Sequence, residues 1–167
     1  VNFWACLCAG AVPVLANTWW SAAEVAKGLA ALEPGLTLAD LEPGPEHGWL
    51  AFHEGYAAHA SGDTGTAQAR AVRAAELGRR LDVPDLEMLG LALEGASLVA
   101  CAKVGPGMRR LDEATAVALE GRAQVPISGA WTFCLLVSAC LAVADLERAP
   151  AWCERIERFA ERFSSRF

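Results

Sequence analysis

Along most of the chain apolar side chains return every three or four positions, and Gly, Pro and Asp break that rhythm at short intervals. The breakers leave eight helix-length pieces, about 2–14, 17–31, 46–61, 63–81, 84–102, 106–121, 127–143 and 145–164. These pair into four hairpins, about 1–31, 46–81, 84–121 and 126–164, and the only long connection, 33–45, is rich in Pro and Gly. Leu86, Leu89 and Leu93, then Leu111 and Val117, supply apolar stripes at helical spacing. Helix starts have local reasons: Asp63 and Asp145 can accept from the amides of the turn that follows, and Pro84 and Pro126 suit a first turn, where a missing N–H costs nothing. The expected fold is all-α.

A repeat runs through these hairpins. At an offset of forty residues Glu54-Gly55 falls on Glu94-Gly95, Ala67 on Gly107 and Ala74 on Ala114. At forty-two, Gly107 falls on Ala149 and Gly95 on Val137, and over the two offsets together the turn Gly62-Asp63 finds a partner in Ala144-Asp145. Small residues at such points let two helix backbones approach closely. In the stretch SGDTGTA, Gly62 permits the turn, Asp63 caps the next helix, Gly65 sits where a glycine costs little and Ala67 allows the crossing.

Composition narrows the picture. A chain of 167 residues suits one domain, and a single Tyr with few β-branched residues favours helix over strand. The formal charge is −6, with Arg and Glu interleaved, so no continuous basic stripe offers itself to a phosphate backbone and direct nucleic-acid contact is not expected. The six cysteines lie mostly in apolar, helical surroundings and read as free thiols; neither Cys6-x-Cys8 nor Cys134-x5-Cys140 has the spacing of a zinc site. Residues 1–23 and 125–144 carry no charge, yet Asn2, Pro13 and Asn17 interrupt the first run and Pro126, Ser128 and Gly129 open the second. Both therefore read as helices buried in protein and not as membrane spans. The first also has the look of a secretory apolar segment ending at Val14-Leu15-Ala16, without an initiator Met or a basic start. The expectation is a cytoplasmic helical domain over 1–167, part of a longer protein.

The text around the repeat is more specific: Asp85-Leu-Glu, Gly107-Met-x-x-Leu-Asp-Glu-Ala114, Val125-Pro through Phe133-Cys134, Ser138-Ala-Cys140, Asp145-Leu-x-Arg-Ala149 and Trp152. With the small residues Gly55, Ala67, Ala74, Gly95, Gly107 and Ala114, this run resembles the tetratricopeptide-like region of actinobacterial LuxR-type transcriptional regulators over about 46–160. The resemblance implies antiparallel hairpins stacked as a superhelical array and a bacterial regulator that recognises a peptide, a partner protein or an apolar ligand. The helix-turn-helix and ATPase or cyclase-like modules of that family have no counterpart here, so the resemblance implies an interaction or sensor segment without naming its output.

Trp49, Phe52, Tyr56 and His59 form one stripe on the helix at 46–61; Leu89, Ala92, Ala96 and Val99 form the matching stripe on the next hairpin, and Trp131, Cys134, Ser138 and Leu141 that of the last. Together they would line a concave apolar groove with polar tips from Tyr and His, suited to a peptide segment or an apolar molecule, or would simply pack the core. Glu54 and Glu94 occupy positions where an array places an apolar residue; if buried, each needs a partner, and Arg70 or Arg73 could serve the first, Arg109 or Arg110 the second. His47, His53 and His59 are six apart, turning about 240° each along a helix, and cannot converge on one metal. No cofactor, metal or catalytic residue is expected. The reading is a non-catalytic interaction module, open to self-association. The alternative is a small all-α enzyme or ligand-binding protein enclosing an apolar substrate, with Glu54, Glu94 or His59 as acid or base.

Overall fold

The computed structural model describes residues 42–120, 122–145 and 147–164. Six helices and no strand occur among them: α1 (Pro45–Ser61), α2 (Thr64–Arg80), α3 (Pro84–Ala100), α4 (Val104–Leu119), α5 (Pro126–Ala142) and α6 (Arg148–Ser164). The all-α expectation holds there. The two helices expected over 2–14 and 17–31, and the connection up to residue 41, lie outside the described residues.

The hairpin turns α1–α2, α3–α4 and α5–α6 share one geometry. Gly62, Ala102 and Ala144 sit at φ of 84°, 61° and 53°, and the following amides of Asp63, Lys103 and Asp145 donate back to Ala58, Leu98 and Cys140 at 2.9, 2.9 and 3.0 Å. This satisfies carbonyls that a helix end would leave open. Asp82 makes the same turn between α2 and α3, with Val83 N–H donating to the Gly78 carbonyl at 2.8 Å. Asp63 caps α2 by accepting from Thr66 N–H at 3.1 Å. Asp145 accepts from Arg148 N–H at 3.3 Å, but α6 begins at Arg148, three residues later than the pattern suggests, because the Asp145 backbone is still closing the turn.

α3 is the centre of the molecule. Nearly every residue from Pro84 to Val99 is buried, and α1, α2, α4 and α5 all pack on this helix. Its mean composition is strongly apolar, as an enclosed helix requires, so its few polar side chains must find partners. They do so across to the surrounding elements, Glu87 meeting Arg122 at 3.8 Å as well as its partner on α2. Ser97 lies 3.2 Å from His59 Nδ1 on α1; Glu87 accepts from Arg79 of α2 at 3.0 Å; Glu94 accepts from Arg110 of α4 at 3.2 Å; and Asp85 accepts from the Gln124 and Val125 amides, leading into α5, at 2.9 and 3.1 Å. The central helix is thus registered against its neighbours by four polar side chains.

Close approach is made possible by glycine. A Cβ on Gly95 would lie 2.7 Å from the Gly107 carbonyl oxygen, and one on Gly107 2.7 Å from that of Gly95, so the α3–α4 hairpin closes backbone on backbone. Ala67, Ala74 and Ala114 are fully buried at the same class of crossing.

Candidate functional site

The aromatic residues of α1 and α5 converge although their helices are far apart in sequence. Phe52 is fully buried and forms the floor. Trp131 of α5 meets the Phe52 ring edge-on at 5.5 Å between centroids and 73°, and meets Tyr56 at 5.3 Å and 52°. His53 completes the cluster, 5.2 Å from Phe52 and 6.3 Å from Trp131. Tyr56, His53 and Trp131 are half-buried, and the Nδ1 atom of His53 is turned inward. Such offset and edge contacts contribute roughly 0.5–1.5 kcal/mol per pair beyond burial. Trp49 packs partly buried beside this core.

The nine residues assigned to the groove therefore divide. Phe52, Tyr56 and Trp131 come together, with His53 added. Leu89 and Val99 are core, 1 % and 8 % exposed, and do not line an open surface: α3, which carries them, is enclosed on all sides. Phe52 is likewise core at its own position. Cys134 and Ser138 are exposed on α5 together with Leu141. His59 is half-buried at its contact with Ser97. Helical spacing shows which residues share a face; it does not show which neighbour covers that face.

The acids are held in ion pairs. Glu54 meets Arg70 at 3.0 Å and is no buried acid, its side chain being 39 % exposed at the outer edge of α1 and α2. Glu94 meets Arg110, which also binds Glu113 at 2.8 Å. The two pairs stand forty residues apart at both partners. Ser97 beside His59 has the residue types of a nucleophile and its base, but Ser97 is fully buried and offers no line of attack. Among the described residues no group of three His, Cys, Asp or Glu is placed to hold a metal ion, and no helix is long and apolar enough to cross a membrane.

Comparison with protein-family models, curated proteins and solved structures gives no match. The functional reading therefore rests on the residues themselves. A second cluster, which the sequence did not single out, lies between α4 and α6, where Arg148 bridges Asp112 at 3.4 Å and Asp145 at 3.2 Å and Arg155 lies 4.6 Å over the Trp152 ring. Burial pushes the Asp112 carboxyl up, with Arg148 and Arg155 acting the other way. Its charges are matched within the chain, which makes it a clasp between helices.

Burial beside the aromatic rings lowers the His53 pKa to about 4, and the same cause lowers that of His59. An unfolded chain takes up a proton at His53 near pH 6.5, whereas the folded one does so only near 4, so stability is complete above the first value and falls as pH drops through this window. With His53 half-exposed, solvent screening reduces the effect to about 1–2 kcal/mol. His53→Gln is expected to flatten the dependence of the urea midpoint on pH between 4.5 and 7. Equal slopes in both proteins would refute the assignment.

Proposed function

We propose that this chain is a non-catalytic, tetratricopeptide-like interaction or sensor module of a bacterial transcriptional regulator, which takes up a peptide, a partner-protein segment or an apolar ligand on the aromatic face of α1 and α5. The observation that carries the reading is the convergence of Tyr56, His53 and Trp131 over Phe52 from two separate hairpins. Large rigid rings with polar tips give contact area at small cost in side-chain entropy, which is how anchor sites on recognition surfaces are built. The recurring turns at Gly62, Ala102 and Ala144 and the recurring pairs Glu54–Arg70 and Glu94–Arg110 support an array of similar hairpins.

The test is selection of peptides from a random library on the wild-type chain, followed by titration. Peptides with an apolar anchor are expected at Kd of about 1–100 µM, weakened at least tenfold by Tyr56→Ala or Trp131→Ala. Binding indifferent to both substitutions would overturn the site. A coding sequence without a DNA-reading helix in the same polypeptide would overturn the regulator class.

A further inference from the structure

Ser97 is fully buried on the central helix, and its hydroxyl has one partner among the described residues, the Nδ1 atom of His59 at 3.2 Å. A buried hydroxyl needs an acceptor for its proton. Thr115 and Thr132, equally buried, give theirs to the carbonyls four residues back, of Leu111 and Ser128, at 2.7 and 3.0 Å. Ser97 makes no such bond, so its proton goes to His59. Were Nδ1 to carry a hydrogen and donate instead, the Ser97 proton would be stranded in the core.

The direction of that bond fixes the other side of the ring. A neutral imidazole has one N–H, and the hydrogen bond made at one nitrogen decides which of the two carries it. With Nδ1 accepting, Nε2 is the donor. The two ring nitrogens face nearly opposite ways, so Nδ1 aimed into α3 turns Nε2–H outward. Nε2 has no partner among the described residues and is not one of their enclosed side-chain atoms. Burial lowers the His59 pKa, which keeps the ring neutral at pH 7 and this donor uncharged. His59 follows Tyr56 by one turn on the same face of α1, which sets their Cβ atoms roughly 5–6 Å apart. An N–H of fixed tautomer thus stands beside the ring cluster of Tyr56, Phe52 and Trp131. Its complement is an oxygen acceptor, and the formal charge of −6 weighs against an anionic one.

We propose that His59 is the specificity-determining donor of the aromatic site, selecting ligands in which an apolar body carries an uncharged carbonyl oxygen about one helical turn away, as the residues of a peptide do. Ser97 is the positioning residue that holds the donor tautomer. The inference rests on the reading of the aromatic face as a recognition site, and names the chemistry that site accepts.

Proton–nitrogen correlation spectra of the full chain at about pH 7 should show His59 Nδ1 unprotonated and Nε2 protonated, with a share of the Nδ1–H form appearing in Ser97→Ala. Titrations with N-acetyltryptophanamide and with methylindole, which has the ring without the carbonyl, should both shift the signals of Trp131 and Tyr56, and only the amide should shift His59 Nε2–H. The amide should bind about three- to tenfold tighter than methylindole, the worth of one hydrogen bond. The anionic N-acetyltryptophan should gain nothing over the amide. The double variant His59→Phe with Ser97→Ala removes the donor together with the hydroxyl that would be stranded, and should erase the margin of the amide while leaving methylindole binding within about twofold. Nδ1 as the protonated nitrogen, no margin for the amide, a margin that survives the double variant, or tighter binding of N-acetyltryptophan than of the amide would overturn this inference with the aromatic site still standing. Neither probe reaching Trp131 and Tyr56 would overturn the site and the inference together.

Discussion

Gly78→Ala is expected to destabilise the fold by about 3 kcal/mol or more, a large share of the roughly 5–15 kcal/mol that holds a domain together. Gly78 lies in α2 where the start of α3 crosses it. A Cβ there would stand 2.7 Å from the Glu87 Cα and 2.9 Å from the Leu86 carbonyl carbon, and would press on the Glu87 amide nitrogen. None of these atoms can turn aside as a side-chain end can; relief requires moving one helix relative to the other. Gly90 makes the reciprocal contact, its Cβ meeting the Ala75 Cα at 2.8 Å and the Ala71 carbonyl oxygen at 2.9 Å. Gly90→Ala should therefore cost a similar amount. In an exposed helix the same change would gain about 1 kcal/mol from backbone propensity, which sharpens the contrast with Gly65. A Cβ at Gly65 has only the Asp63 carboxylate oxygen near it, at 3.7 Å. Gly65→Ala should be neutral or slightly stabilising. Urea denaturation followed by circular dichroism measures all three, and a Gly78→Ala midpoint equal to wild type would show that the α2–α3 crossing is looser than described.

The difference between these glycines marks what the chain displays on its face and what it does not. Gly65 could be placed from the sequence because its neighbours Gly62 and Asp63 announce a turn and a cap, both local events. Pro84 and Pro126 stand at the first positions of α3 and α5 for the same reason. The partners of Glu54 and Glu94 could be narrowed to two arginines each because the repeat of forty residues carries acid and base together. Gly78 and Gly90 give no such signal: they sit inside regular helices, and only the path of a separate helix makes them necessary. Phe52, Leu89 and Val99 show the same limit from the other side. Their spacing puts them on common helical faces, but the four neighbours around α3 bury Leu89 and Val99, and Trp131 of α5 packs against Phe52 on α1, so an expected groove lining becomes core. His53, set aside in the sequence because its spacing fits no metal, enters the aromatic cluster through Trp131, a residue of another hairpin.

Asp85→Ala is the second substitution with a large expected effect, about 2–4 kcal/mol, and the one that most directly couples stability to the proposed site. Asp85 is 3 % exposed, and its two carboxylate oxygens separately accept the Gln124 and Val125 amides at 2.9 and 3.1 Å. Hydrogen bonds to a charged acceptor contribute about 1.5–3 kcal/mol each, not additively, and truncation would leave two backbone donors without their partner. Those amides lead directly into α5, with Val125 as its N-terminal cap residue in extended conformation. The carboxylate thus fixes where α5 begins relative to the central helix, and with it the position of Trp131 over Phe52 and Tyr56. Asp85→Asn, which keeps one acceptor but turns an NH2 group towards the other amide, should lose an intermediate amount. Glu113→Ala, removing an exposed partner of Arg110, should cost less than about 0.5 kcal/mol and serves as the control. Hydrogen exchange at Gln124 and Val125 should accelerate in Asp85→Ala before the helices of the first two hairpins lose protection. Unchanged exchange at those amides would show that the approach to α5 is held by packing alone, and that the register of the aromatic face does not depend on this carboxylate.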